Sequence, residues 1–514
     1  MDRRNFLQNM LLSISSGSFA APLEPLPEFS STPFTLGIAS GDIMEDSVIL
    51  WTRLAPDPLA ADGGMPPVSV PVQWELATDS SMSRIVQQGE TQATPALAHS
   101  VHIDVKGLEP SREYWYRFSV STQTSPTGKT KTLPKASGHL DSIRFITASC
   151  QNYSHGFFNA YEHMVCDKPD FILHLGDYIY DTSFGETFRK HETEDAPITL
   201  ADYRRRHSLY KTDKHLQYAH SQIPFFTTID NHDAIEDMNP DKFRQRMAAY
   251  QAWYEHMPVR GYHRVGDNHF DLYRKVSLGN LAQISLLDSR QFRDKRELCT
   301  EDIDAGYGFG NYRERCSNLF RNDRTMLGKN QERWLEQNLT QHESLWNVIA
   351  SPGPFLPFRY YKEGKEHRYI GAWDAYPANR LRVSEAMQAT TTGHPLILSG
   401  DVHSFWAVDG ALTTEESERI PVVEFVTSSI SANWPPALAE PVTDNLHHNP
   451  QVRFYRPDKR GYLLHDVNPS QWEVTARAIN DVRDEQSLAF NLASFMVTNG
   501  KSGFIKNSLP QTNE

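Results

Sequence analysis

Apolar residues in this chain follow two rhythms, and the change between them divides it. From Phe34 to about Pro134 they alternate or cluster at strand length, in VILWTRL, VPVQWELATD, HSVHIDV and EYWYRFSV, with Gly, Pro and Asp turns between. Alternation puts every second side chain on one face, so these segments predict short strands with one buried side. After TLPKASGHL (Thr132 to Leu140) the runs become continuously apolar: IRFITASC, PDFILHLGD, FFTTID, AQISLLD, WNVIASP and PLILSGDVH. A strand that is apolar throughout is buried on both faces, as in a parallel sheet covered by helices. FNAYEHMVCD, FRQRMAAYQAWYEHM and KNQERWLEQNL supply helical patterns. Strand, helix and strand at close spacing predict a parallel or mixed α/β sheet with helices outside. VVEFVTSS and GYLLHDVNPSQWEVTARAI predict strands of a second sheet. The charged, His-rich stretch from Asp181 to His220 predicts excursions over the sheet, and Asp294 to Asn322 a long loop.

The same rhythms set a domain plan. Residues 34–135 form a small all-β domain of fibronectin/Ig-like type. The spacing of Leu108, Pro110, Tyr114 and Tyr116 matches the tyrosine-corner turn of such sandwiches. Residues 141–495 form the α/β domain, and 496–514 a C-terminal tail. Residues 22–33, rich in Pro and Ser, read as a linker. Before it, MDRRNFLQNMLLSISSGSFAAP places Arg3-Arg4 ahead of Phe6-Leu7, a mild apolar stretch and a small-residue site at Ser18-Phe19-Ala20. That pattern resembles a twin-arginine export signal over residues 1–21, with Asp2 where Ser or Thr is usual. No later run approaches the roughly 20 apolar residues of a membrane span. A soluble, monomeric protein, periplasmic or secreted, is expected, with the twin-arginine machinery as its export partner.

Composition narrows the partners. The 514 residues are 39% hydrophobic and 22% charged, with a formal net charge of -13. A chain this acidic is a poor ligand for nucleic-acid backbones, which are bound by displacing counterions with Lys and Arg. It is equally ill suited to anionic membranes. A small anionic substrate remains compatible, because bound cations reverse the local field. The four cysteines are Cys150, Cys166, Cys299 and Cys316. In an oxidising compartment Cys299 and Cys316 can pair, although spacing alone leaves this open. Cys166, within a helical pattern, reads as core.

The chemistry gathers where the apolar runs stop. FILHLGDYIYD (Phe171 to Asp181) and LILSGDVHSFW (Leu396 to Trp406) both break at Gly-Asp. Each reads as a buried strand delivering a carboxylate at its C-terminal end, where α/β proteins place their sites. Tyr180 follows in the first turn and His403 in the second. Cys150, Asn231-His232 and Asp288 stand at or just past other strand ends. One sheet edge then holds a thiol, carboxylates, an amide, a phenol and imidazoles, a set that is costly to bury without metal. A dinuclear metal site is expected. His99, His102, His215 and His220 lack such a context and read as ordinary.

The order of these motifs resembles the metallophosphatases, and most closely the alkaline phosphatase D (PhoD) family. The resemblance spans GIASGDIMEDSVILWTRL, ASCQNY, HLGDYIYD, LLDSRQFR and SGDVHSFW. It implies a metallophosphatase-type β-sandwich flanked by helices, and hydrolysis of phosphate monoesters, diesters or both by a metal-bound hydroxide. It implies Fe³⁺ and Ca²⁺ as cofactors. Asp177 would be the bridging carboxylate, Cys150, Tyr180 and His403 the other iron ligands, and Asn231 and Asp401 ligands of the second metal. Thiolate and phenolate suit ferric iron, and oxygen donors suit the harder ion. His232 would act as general acid, and Arg290 would clamp a phosphate oxygen or serve in a structural Asp–Arg pair. Asp230-Asn231-His232-Asp233 stands where the family commonly reads Asp-Asp-His-Glu, which removes one negative charge near the second metal. A Val-x-x-His motif is not apparent; WNVIASPGPF occupies its region and leaves one ligand unnamed. The alternatives are a phospholipase D-like phosphodiesterase, a hydrolase of another anionic ester such as a sulfate, and a non-catalytic exported protein with a structural metal site.

Overall fold

The structure, a computed structural model, describes residues 28–234, 242–261, 271–295, 312–341, 343–389, 394–413 and 419–507. The expected export signal and Cys299 lie outside the described residues. Cys150 and Cys166 are free thiols.

Two sheets stack face to face. At the centre of the first, Ile143–Ala148, Phe171–His174 and Phe225–Thr227 run parallel. In the second, Ala282–Leu286, Trp346–Ala350, His394–Ser399 and Arg419–Val426 run parallel. The period of two explains the layering. Phe145, Phe171 and Leu173 point inward and meet Ile284, Val348, Leu396 and Leu398 of the other sheet. Their neighbours Ile146 and Ile172 point outward, onto Tyr161, Leu216 and Trp253. These come from the helices Ala160–Cys166, Lys214–Gln222 and Phe243–His256. Ile349 and Ile397 point outward onto Leu335 and Val383, from the helices Gly328–Thr340 and Pro377–Gln388. The result is helix, sheet, sheet, helix. Each fully buried side chain of this size stabilises the fold by about 1.5–3 kcal/mol.

The all-β domain grows out of the first sheet. Ile38–Gly41, Ser47–Arg53 and Ser100–Lys106 extend it through a parallel pairing of Gly41 with Phe225. A Cβ at Gly41 would stand 2.5 Å from the carbonyl oxygens of Phe225 and Pro258, so only glycine allows this approach. The second layer of the sandwich is built on Val70–Ala77, Ile85–Ala93 and Glu113–Val120. The tyrosine corner is present: the Tyr114 hydroxyl accepts from the Glu109 N–H at 2.9 Å. The domains lock on the Phe243–His256 helix. Trp51 Nε1 donates to Glu255 O at 3.0 Å, and His102 Nε2 lies 3.0 Å from the Tyr254 and Met257 carbonyls.

The structure corrects three expectations. Arg460–Val467 and Gln471–Ile479 join the first sheet, antiparallel beside Ile143–Ala148, and not the second. Residue 496 falls within Ala489–Thr498, whose Ala493, Phe495 and Val497 are buried, and Ile505–Asn507 pairs with that strand, so 496–498 and 505–507 are strand and the segment is a hairpin of the sheet and not a tail. The excursion expected from Asp181 to His220 is built largely of two helices, Leu200–Lys211 and Lys214–Gln222. The first buries Arg206, His207 and Lys211, which erases the apolar periodicity; its signal was the Thr199–Asp202 capping box. Cys166 is exposed, because its helix buries Ala160, Tyr161 and Met164 and position 166 falls on the opposite face.

Candidate metal centre

The parallel strands of both sheets end on one edge. Cys150 follows Ile143–Ala148, Asp177 follows Phe171–His174, Asp230 follows Phe225–Thr227, and Asp401 follows His394–Ser399. A parallel bridge between Ser149 and Ser429 ties the two sheets there. The glycine of each Gly-Asp turn has a steric reason. A Cβ at Gly176 would lie 2.6 Å from the Asp230 Cβ, and one at Gly400 2.6 Å from Ser149 Oγ. Cys150, Asp177, Asp401 and His403 all adopt left-handed backbone, with φ of 59°, 53°, 71° and 46°. Such residues cost of order 1–3 kcal/mol each and cluster where function requires a side chain to be aimed.

The side chains converge on two groups. Ligand atoms of Cys150, Asp177 and His403 lie within 4.8 Å of one another, as do those of Asp177, Asp230 and Asp401. Asp177 belongs to both. Its Oδ2 is 3.5 Å from Cys150 Sγ and accepts from the Tyr180 hydroxyl at 3.1 Å. The Tyr180 hydroxyl also meets His403 Nε2 at 2.9 Å. His403 Nδ1 is 2.9 Å from the Asn433 carbonyl. That carbonyl takes the Nδ1 proton, so the lone pair lies on Nε2, aimed at the group.

In the second group Arg290 Nε pairs with Asp230 Oδ1. Its Nη2 lies 3.3 Å from Asn231 Oδ1 and 3.7 Å from Asp401 Oδ1. Tyr369 donates to Asp401 Oδ2 at 2.9 Å. Asp230 Oδ2 is buried without a hydrogen-bond partner. Beside both groups, the His232 N–H donates to Asp177 Oδ1 at 3.0 Å, and His232 Nδ1 is 2.7 Å from Asp181 Oδ1. The Phe184 ring stacks on both His232 and His403.

The electrostatics disfavour charge on most of the buried donors. Burial, reinforced by Asp177, pushes the Cys150 thiol and the Tyr180 phenol well above their ordinary ranges. Burial raises Asp230 as well, against the pull of Arg290, and lowers His403 to about 3. For His232 burial opposes charge, but Asp177, Asp181 and Asp230 outweigh it and raise the imidazole to about 9. Bound cations would stabilise the anionic forms of these donors.

Of the residues singled out from sequence, Cys150, Asp177, Tyr180, Asn231, His232, Arg290, Asp401 and His403 all meet here. Asp288 does not join either group: its carboxylate accepts the backbone N–H of Arg290 and Gln291, capping that turn. Arg290 therefore pairs with Asp230 and not with its sequence neighbour. Asp230, Asp181, Tyr369 and Asp233 were missed. Asp230 closes an apolar run, as Asp288 does, and only register separates the two. His174 and Thr227 are register partners, and Asp177 and Asp230 each stand three residues further on.

Residues 145–476 match the family described as PhoD-like phosphatase, and residues 20–134 match its N-terminal domain. Alkaline phosphatase D of Bacillus subtilis (strain 168) is 39% identical over 533 residues, covering 98% of this chain and 89% of the relative. A solved structure described as that of PhoD superposes with a TM-score of 0.87 at 38% identity, covering 95% of this chain and 94% of that one. With its two-sheet core, its all-β domain and this strand-end constellation, the chain belongs to the PhoD-like phosphatase family.

Proposed function

We propose that this protein is an exported phosphoric ester hydrolase that works with two metal ions, and that it acts on phosphate monoesters, diesters or both. The observation that carries this is the pair of donor groups sharing Asp177. The donors fit the metals that the family resemblance implies. Cys150, Tyr180, His403 and Asp177 offer thiolate, phenolate, imidazole and carboxylate, a set suited to Fe³⁺. Asp177, Asp401 and Asn231 offer oxygen, suited to Ca²⁺. Asp230, with a buried unpartnered oxygen, takes the place of the ligand that WNVIASPGPF does not supply. When bound, the metals supply an activated water and positive charge for the phosphoryl oxygens.

The chain's own residues divide the remaining work. Arg290 Nη2, beside Asn231 and Asp401, receives a phosphoryl oxygen and is held by Asp230 and by the Gly371 carbonyl, which accepts from Nη1 at 3.0 Å. His232 has Nδ1 committed to Asp181, which leaves Nε2 to protonate the leaving oxygen. Asp181 keeps the imidazole oriented. Export through the twin-arginine route, to periplasm or medium, is supported by the Arg3-Arg4 segment. Among the described residues no helix is long and apolar enough to cross a membrane.

The test is hydrolysis of a chromogenic phosphate monoester beside its diester, with iron and calcium supplied and Asp177→Asn as the blank. Turnover that falls at least about 100-fold in the variant is expected, and the rate ratio names the preferred class. Equal rates in both proteins would remove Asp177 from the chemistry.

A further inference from the structure

Asp233 is fully buried, and its carboxylate accepts four backbone N–H groups from two different turns. Oδ1 accepts from Tyr178 at 2.8 Å and Ile179 at 3.1 Å. Oδ2 accepts from Asp177 at 2.7 Å and Asp230 at 2.9 Å. Among the described residues no Lys, Arg or His forms an ion pair with it, so these amides are its counter-charge. Both oxygens are spent on them. Asp233 is therefore unlike Asp177, Asp230 and Asp401, whose oxygens face the shared site.

The two turns that it joins are the ones that need holding. Asp177 sits in left-handed backbone directly after Gly176, itself at φ 106°. The turn must also present Tyr180 three residues later. Asp230 comes from the neighbouring strand; the ladder between the strands ends at His174 and Thr227, with the Thr228 N–H on the His174 carbonyl, and beyond it the turns are joined by the His232 N–H on Asp177 Oδ1 and by Asp233. A carboxylate bonded to the N–H of both Asp177 and Asp230 sets the distance between the turns directly.

We infer that Asp233 is a positioning residue that clamps the Asp177 turn to the Asp230 turn and so sets the spacing between the donors of the two metal groups. The inference rests on the two-metal reading above. It gives a role to the last member of Asp-Asn-His-Asp that is distinct from ligand, acid or clamp on substrate. Asp233→Asn replaces one oxygen with an amide that faces two N–H donors, so one pair of bonds must break while the shape is kept.

The experiment has two arms. In the first, iron and calcium affinities of wild type, Asp233→Asn and Asp177→Asn are measured by chelator competition, with kcat, KM and unfolding midpoints alongside. Asp233→Asn should lose about 10–100-fold in metal affinity and lose kcat, with KM nearly unchanged. In the second, amide hydrogen exchange of the peptide covering residues 175–180 is followed in metal-stripped wild type. Protection comparable with the adjoining strand supports the clamp and needs no variant, so it decides the matter if Asp233→Asn fails to fold. Exchange at loop rates, or wild-type metal affinity in a folded Asp233→Asn, overturns the inference. Wild-type protein that takes up no metal overturns the two-metal reading instead, and the exchange arm alone then judges the clamp.

Discussion

At the scale of single residues, the centre shows why position outweighs residue type. Lys211 makes the same point away from the site. It is buried with Nζ 4.4 Å from the centre of the Trp51 ring and donates to the Tyr178 hydroxyl at 3.2 Å. Burial lowers its pKa to about 7, against roughly 10.4 in an unfolded chain. Between those values the unfolded chain binds a proton that the folded chain refuses, so stability rises with pH across that window. Below about pH 7 the cost is fully present, and above about 10.4 it vanishes. Lys211→Met should therefore be more stable than wild type at pH 6, with the advantage shrinking toward pH 10. Urea midpoints at the two pH values check this; an advantage of equal size at both would contradict it.

Among the elements, the Leu200–Lys211 helix links local sequence to the site. Its Arg206 donates through Nη1 to the carbonyls of Tyr180, at 2.5 Å, and Asp181, at 2.7 Å. The helix thus braces the turn that carries the phenol and the partner of His232. Its N-terminus is fixed by Thr199, whose hydroxyl accepts from the Asp202 N–H while Asp202 reaches back to the Thr199 N–H. Thr199→Ala should lower stability by about 1 kcal/mol, with kcat little changed because Arg206 lies on the second turn of the helix. Denaturant unfolding beside the phosphatase assay separates the two effects. A large loss of kcat at unchanged stability would show that the cap acts on the site itself.

For the whole molecule, the two domains share a sheet and a core. Phe34, Ile38 and Val48 of the all-β part lie in the same buried cluster as Phe145, Phe171 and Val348 of the α/β part. Calorimetry should therefore give one cooperative transition and not two, and a fragment starting at residue 141 should not fold alone. Two separated transitions would show that the shared sheet does not couple the domains. Metal that binds only the folded state raises its stability by mass action, so chelation should lower the midpoint of that transition in wild type and leave Asp177→Asn nearly unmoved.

Much of the site was legible because its signals are local. A buried strand that stops at Gly-Asp announces itself within a few residues, and so Asp177, Tyr180, Asp401 and His403 stood out although Asp177 and Asp401 are more than 200 residues apart. The strands themselves were likewise legible in the continuously apolar runs, but their division between two stacked sheets was not. What stayed hidden depends on register and on which sheet a strand joins. Asp230 and Asp288 look alike in sequence, each closing an apolar run. Only the pairing of His174 with Thr227 brings Asp230 level with Asp177, while Asp288 turns back to cap its own loop. The Arg460–Val467 strand carries the same composition whichever sheet it enters, and its partner Ile143–Ala148 lies more than 300 residues earlier. Local pattern decides which residues reach the edge of a sheet, because it needs only the period of a strand. Which of them meet there is decided by the packing of distant segments, which no stretch of the chain contains by itself.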